Sequence, residues 1–218
     1  MDAVSTLALA LGSGWASGIN LYAAILTLGV AGRLEVLKLP VNLEVLQSPL
    51  VLAVAALLYA VNFLADKIPF VDSFNDFIHT FLRIPAGALL AAGAVGHLDP
   101  AIAVAAGMAG GTLATGSHLA KSGTKAVVNA SPEPFSNIAV SLVSDVAAIG
   151  GVWLAIRNAT LFLILLTIVV GLTIWLLPKL LRAVFGLFRR ITGRAARVAP
   201  GKPWPGRAAG LDRPPGPR

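Results

Sequence analysis

The chain has 218 residues, 56% of them hydrophobic and only 12% charged, and its mean hydropathy is +0.81. Soluble domains carry roughly 25% charge, so an ordinary soluble globule is excluded and an all-α multi-pass membrane protein is expected. The net charge of +7 sits in the tail: residues 179–218 hold ten Lys/Arg against one Asp, and residues 1–178 hold seven against nine acids. The tail's one tryptophan, Trp204, lies amid Pro and Gly, which excludes a nucleic-acid platform. The absence of cysteine excludes disulfides, thiolate metal sites and a Cys nucleophile.

A bilayer-spanning helix needs about 20 mostly apolar residues. Six such spans are predicted, over about 4–31, 49–68, 72–97, 100–127, 135–156 and 158–178. The opening Met1-Asp2-Ala3-Val4 lacks a basic n-region, so the first span is expected to stay uncleaved. The sixth is the cleanest, with nothing charged between Arg157 and Lys179. Residues 1–178 form the expected transmembrane domain. Residues 179–198 follow as a basic amphipathic extension, with Leu180, Leu181, Val184, Leu187 and Phe188 at helical spacing. Residues 199–218 are a disordered Pro/Gly-rich basic tail suited to anionic lipid headgroups. Lysine and arginine favour the cytoplasmic side, so both termini are expected in the cytoplasm, with Lys67, Lys121 and Lys125 inside and Arg33, Lys38 and Arg157 against the rule. The expected location is the inner (plasma) membrane.

Two short patches repeat. Ser17-Gly18-Ile19-Asn20-Leu21-Tyr22 matches Thr115-Gly116-Ser117-His118-Leu119-Ala120, and Val61-Asn62-Phe63-Leu64-Ala65-Asp66 matches Val140-Ser141-Leu142-Val143-Ser144-Asp145. Three spans per copy place the copies in opposite orientation, so the expected fold is two inverted three-helix repeats, about 4–97 and 100–178, some helices broken at Gly or Pro. Asn20 and His118 then meet near the repeat axis, with Gly18 and Gly116 as breaks. The alternative is that such glycines only let helices pack closely.

The third span opens with Asp72, Asp76, His79 and Arg83 on one helix face. Three readings stand: ion pairing with Arg83 or Lys67 that glues helices together, a proton-relaying path, or a metal site from the two acids and His79, which Arg83 and Lys67 would oppose. His118, Lys121 and Lys125 share another face. They suit an anion such as phosphate, carboxylate or a lipid headgroup, or else mark a helix end whose lysines snorkel to the surface. Asp145 lies deep in the fifth span and is the acid expected to matter most. Asp66 with Lys67 sits at a helix end, and Glu133 lies in the Pro132/Pro134 loop. No enzyme motif is present, although Asp66 and Asp145 are formally an acid pair.

Ser17–Tyr22, Ala65-Asp66-Lys67-Ile68-Pro69 with Val71-Asp72-Ser73, Ile78-His79-Thr80, Arg83-Ile84-Pro85-Ala86-Gly87 and above all Ser131-Pro132-Glu133-Pro134-Phe135-Ser136-Asn137 resemble the domain-of-unknown-function 4126 family of bacterial integral membrane proteins. The resemblance spans about residues 10–150. It implies a membrane domain and transfers no activity or cofactor.

The expected function is passage or binding of a small polar or anionic solute, or a lipid headgroup, at the repeat interface. Asn20 and His118 line the path, Lys121 and Lys125 attract negative charge, and Asp145 with the Asp72–Arg83 stripe relays protons or gates. The alternatives are a non-transporting scaffold with dry, fully paired polar residues, and an intramembrane enzyme. A homo-oligomer is also expected to be possible for so small a chain.

Overall fold

The computed structural model describes residues 1–65, 71–96, 98–128 and 134–197, and every described element is helical. Six long helices follow in order: α1 Ala3–Arg33, α2 Pro49–Ala65, α3 Val71–Val95, α4 Pro100–Val128, α5 Pro134–Arg157 and α6 Ala159–Arg197. A short 3₁₀ helix, Val41–Gln47, precedes α2. Two compact units are distinguished, Met1–Val184 and Phe185–Arg218. The first holds the bundle; in the second the helix continues to Arg197.

Four described helices are long and apolar enough to cross a membrane: Ala3–Arg33, Ile78–Val95, Ile138–Arg157 and Ala159–Ala183. The 3₁₀ helix and α2, bent by 67°, make a fifth if counted as one broken span. Of the six expected spans, the described residues thus give four by length and apolarity, or five with the bent pair. Helix α4 falls short because its sequence is rich in Gly, Ser, Thr, His and Lys; of these, Gly107, Gly110, Ser117, His118, Lys121 and Lys125 are buried against protein.

Helix α1 is the centre. About 72% of its most apolar stretch is buried, against 11% for α6, and α1 packs along α3, α4 and α5. Lipid tails are as apolar as leucine, so helices in a bilayer associate through close van der Waals contact and small residues. Three glycines supply it. A Cβ on Gly14 would lie 2.6 Å from Gly110 Cα, one on Gly87 would lie 3.1 Å from Gly14 O, and one on Gly110 would lie 2.7 Å from Gly87 O. Helices α1, α3 and α4 thus meet backbone to backbone. Helix α6 joins through side chains, with Phe162 and Leu166 clustering with Ala8 and Ala155.

The helix ends follow from local chemistry. Asp2 caps α1, its Oδ1 accepting from Ser5 N at 2.7 Å. At the other end Val36 N donates to Ala31 O and Glu35 N to Gly32 O, a Schellman stop. Its left-handed position is filled by Glu35 at φ 57°, where glycine would be unstrained. Asn158 alone links α5 to α6 and caps α6 through Leu161 N at 3.0 Å.

Two tryptophan–cation pairs mark depth. Arg157 lies 5.3 Å from the Trp153 ring centre, and Lys179 lies 3.0 Å from that of Trp175. Helix α6 from Ala159 to Lys179 is about 30 Å long at ~1.5 Å per residue, close to the roughly 30 Å hydrocarbon core. Tryptophans and basic residues favour the two interfaces. Asp145 lies about 18 Å along α5 from Arg157, midway along that helix.

Candidate functional site

Helix α1 is interrupted once. Asn20 has φ −151° and ψ 101°, extended rather than helical. A break there frees carbonyls at the end of the first half-helix and N–H groups at the start of the second, and both must be satisfied where water is absent. Asn20 meets the second need itself: its Oδ1 accepts from Ala23 N at 3.1 Å, the geometry of an N-cap. The first need falls to α4, where Lys121 Nζ donates to Ile19 O at 3.1 Å. A cation at a helix C-terminus also complements the dipole.

The Asn20 amide completes the cluster. Its Nδ2 donates to Asp145 Oδ1 at 2.8 Å, and Tyr59 OH donates to Asp145 Oδ2 at 3.3 Å. Asn20 is fully buried and Asp145 is 2% exposed. One turn before Asp145, Ser141 Oγ is buried and has no hydrogen-bond partner among the described residues.

A second cluster surrounds Arg83, which is 1% exposed. Its NH2 donates to Asn62 Oδ1 at 3.1 Å and its NH1 to His118 Nδ1 at 3.4 Å. Guanidinium only donates, so His118 Nδ1 accepts through its lone pair and the ring proton sits on Nε2. That nitrogen lies 2.7 Å from Thr80 Oγ1. Ser17 Oγ donates to Arg83 O at 2.8 Å, tying this cluster to α1. His79 Nδ1 lies 3.4 Å from Tyr22 OH, and the two rings stand edge to face at 5.3 Å.

The expected site residues therefore divide. Asn20 and Asp145, on α1 and α5, are brought together, and Lys121 joins them through the freed Ile19 carbonyl. His118 belongs with Arg83 and Thr80, so Asn20 and His118 serve different clusters instead of facing one another. The break falls at Asn20 and not at the expected glycines. Gly18 stays helical and serves close packing, since a Cβ there would meet Ala114 O and Ser117 Oγ, and α4 runs unbroken through Gly116. Helices α3 and α6 likewise continue through Pro85 and Pro178. Lys121 and Lys125 do not snorkel; they are 6% and 2% exposed. Of the stripe, the structure describes the side chains of His79 and Arg83 only. The side chains of Asp72 and Asp76 lie outside the described residues, as do Asp66, Lys67 and Glu133. Among the described residues no three His, Asp or Glu converge as a metal site.

Beside the break lies a groove of about 410 Å³. Trp15 and Ile19 of α1, Ser117, Lys121 and Thr124 of α4, Val143 and Ser144 of α5, and Val169 and Thr173 of α6 contribute to its walls. Three of its hydroxyls are already spent as donors: Ser117 Oγ to Trp15 O, Thr124 Oγ1 to Ala120 O and Ser144 Oγ to Val140 O.

A family model described as "Domain of unknown function (DUF4126)" matches residues 7–179. No curated protein and no solved structure matches the chain.

Proposed function

The chain belongs to this family of unknown function, and from that premise we propose that it binds and passes a small polar or anionic solute, or the head of an anionic lipid, along the face of α1 interrupted at Asn20. The carrying observation is the break itself. A helix interrupted near its middle, with Lys121 on one half and Asn20–Asp145 on the other, is how membrane proteins present backbone and charge to a solute. Ionisable groups inside a membrane bundle are costly unless they serve a function. The unpartnered Ser141 hydroxyl a turn from Asp145 is a further polar position for a solute. In the conformation described, the Lys121–Ile19 and Asn20–Asp145 contacts close the path, so they are the gate. The bilayer, with anionic headgroups under the basic tail, is the partner, the cytoplasmic-termini topology is retained, and catalysis is not assigned.

A scaffold is the second reading, favoured by the dryness of the polar core: Asn20, Arg83, His118 and Asp145 are all buried and hydrogen-bonded. The chain has no cysteine, which makes the discriminating experiment simple. Ser117→Cys and Ser144→Cys are reconstituted in vesicles and exposed to a membrane-impermeant thiol reagent from each side. Modification at both positions is expected for a path. No modification of folded protein from either side would abandon passage for the scaffold.

A further inference from the structure

We infer that, in the closed conformation described, the groove beside the break holds one acyl chain of a bilayer lipid, whichever headgroup that lipid carries. This adds the regulation of the break to the reading proposed above; the regulation rests on that reading, and the chain itself does not. The chemistry, size and surroundings of the groove carry it.

The walls are mainly apolar: Trp15, Ile19, Val143 and Val169 suit hydrocarbon. Three of the four wall hydroxyls, those of Ser117, Thr124 and Ser144, have given their protons to carbonyls, and the buried Lys121 ammonium is engaged at Ile19 O. A charged or hydrated head would exchange its water for little more than acceptor oxygens, which costs free energy; a hydrocarbon chain has no hydrogen bonds to lose. Size agrees. The α5 wall runs from Ala139 to Ala147 and the α4 wall from Ser117 to Thr124, about 12 and 10 Å of helix at ~1.5 Å per residue. One leaflet contributes about 15 Å to the hydrocarbon core, so the groove accommodates most of a single chain. At about 410 Å³ it far exceeds the water-sized voids of a packed interior and must be filled. The surroundings supply the filler. Val143 on the rim is 68% exposed, and the neighbouring α6 residues Leu172 and Trp175 are 57% and 63% exposed, so the groove is continuous with apolar surface suited to lipid. Helix α6 joins the bundle through side chains such as Phe162 and Leu166, which leaves room beside it for a chain to enter. Ile19 belongs both to the groove and to the break. A chain against it keeps water from the Lys121–Ile19 contact, which is stronger in dry surroundings. Withdrawal of the chain admits water to that contact and to Ser117 and Ser144, so the chain holds the gate shut.

Trp15 reports the occupant. A Cβ on Gly151 would lie 2.5 Å from its Cζ3, so the indole is seated against α5 in the groove wall. The full chain, with Trp153, Trp175 and Trp204 replaced by Phe, is held in nanodiscs of phosphatidylcholine brominated in its acyl chains. Trp15 should be quenched at least twofold relative to unbrominated lipid, to the same extent by phosphatidylglycerol with the same chains, and hardly at all by aqueous acrylamide. Ala147→Phe on α5 and Ala120→Phe on α4 each fill the groove and should restore most of the emission; Val146→Phe, on the exposed side of α5 outside the groove, should not. Two filling variants and the acrylamide comparison keep the test decisive should one variant fail to fold. Emission indifferent to brominated chains, quenching that survives in both filling variants, or a fivefold difference between the two headgroups each overturns the inference. Irreversible thiol modification of Ser117→Cys and Ser144→Cys in the same nanodiscs accumulates whenever the gate opens and reads the path separately. Chain quenching without modification sinks the path and leaves the chain; modification without chain quenching sinks the chain and leaves the path.

Discussion

Replacing Asn20 by alanine removes two interactions at once, and their sizes can be separated. The first is the cap on Ala23 N at 3.1 Å; losing an Asn cap to alanine costs about 1 kcal/mol. The second is the 2.8 Å bond from Nδ2 to Asp145 Oδ1. Side-chain hydrogen bonds between membrane helices average about 0.6 kcal/mol and reach about 1.7, and the full burial of Asn20 puts this one towards the upper end. Asn20→Ala should therefore destabilise the bundle by about 2–3 kcal/mol. Asn20→Ser keeps a capping oxygen but is too short to serve Asp145, so it should recover about 1 kcal/mol of the loss. The Asn20→Ala/Asp145→Ala cycle should give a coupling of about 1–1.5 kcal/mol. Reversible unfolding of the reconstituted protein in mixed micelles, by denaturing detergent, reads all of these. An Asn20→Ala loss below about 0.5 kcal/mol, or Ser no better than Ala, would refute the idea that this side chain caps a broken helix.

Glu35→Gly should stabilise the protein by about 1 kcal/mol in the same assay, since a left-handed non-glycine residue costs roughly 1–2 kcal/mol; destabilisation would mean that the Glu35 side chain makes a compensating contact. Gly110→Ala, whose Cβ would meet Ala91 and the Gly87 carbonyl, should cost about 1–3 kcal/mol, while Gly150→Ala, with nothing within 4 Å, should be neutral or stabilising. Arg83→Lys, unable to reach Asn62 and His118 with one planar fork, should cost about 1.5–3 kcal/mol and shift the His118 ring resonances in NMR spectra. The hydrogen bonds from Ser5, its backbone N–H among them, hold the Asp2 carboxyl below its ordinary 3.8. Its stabilising effect is therefore present above the unfolded value and is lost as pH falls through the lowered folded one. The Ser5 amide resonance should titrate in that acid range and stop doing so in Asp2→Asn, which keeps the cap.

How much was legible depended on whether a residue's role was set by its own neighbourhood. Helix α6 was, because an unbroken apolar run needs no partner to be recognised. Asp145 was also visible as a costly acid deep in a span, and the structure gives it Asn20 and Tyr59. The location of the break was not. Gly18 and Gly116 looked like interruptions, yet both are helical and Gly18 marks a close helix crossing, while Asn20 breaks α1 because its short amide can cap the next turn. Nothing local distinguishes those roles. The 3₁₀ helix Val41–Gln47 was missed, although Leu43 and Leu46, three apart and both buried, were its signal. Asn62 and Tyr59 were missed as partners because only folding brings α2 to Arg83 and Asp145. Helix α4 has the length of a span, but only the fold shows that its polar face is the side packed on α1 and α3.

The interrupted helix is best tested by solid-state NMR on the reconstituted chain, labelled with ¹³C at the Ile19 carbonyl and Asn20 and with ¹⁵N at the Lys121 amine. Extended-backbone Cα and Cβ shifts at Asn20, with an Ile19 carbonyl-carbon–Lys121 Nζ dipolar coupling matching about 4 Å, the separation implied by the 3.1 Å oxygen-to-nitrogen contact, are the expected result. Helical shifts at Asn20 with no such coupling would mean that α1 runs unbroken, and the site built on its interruption would not exist.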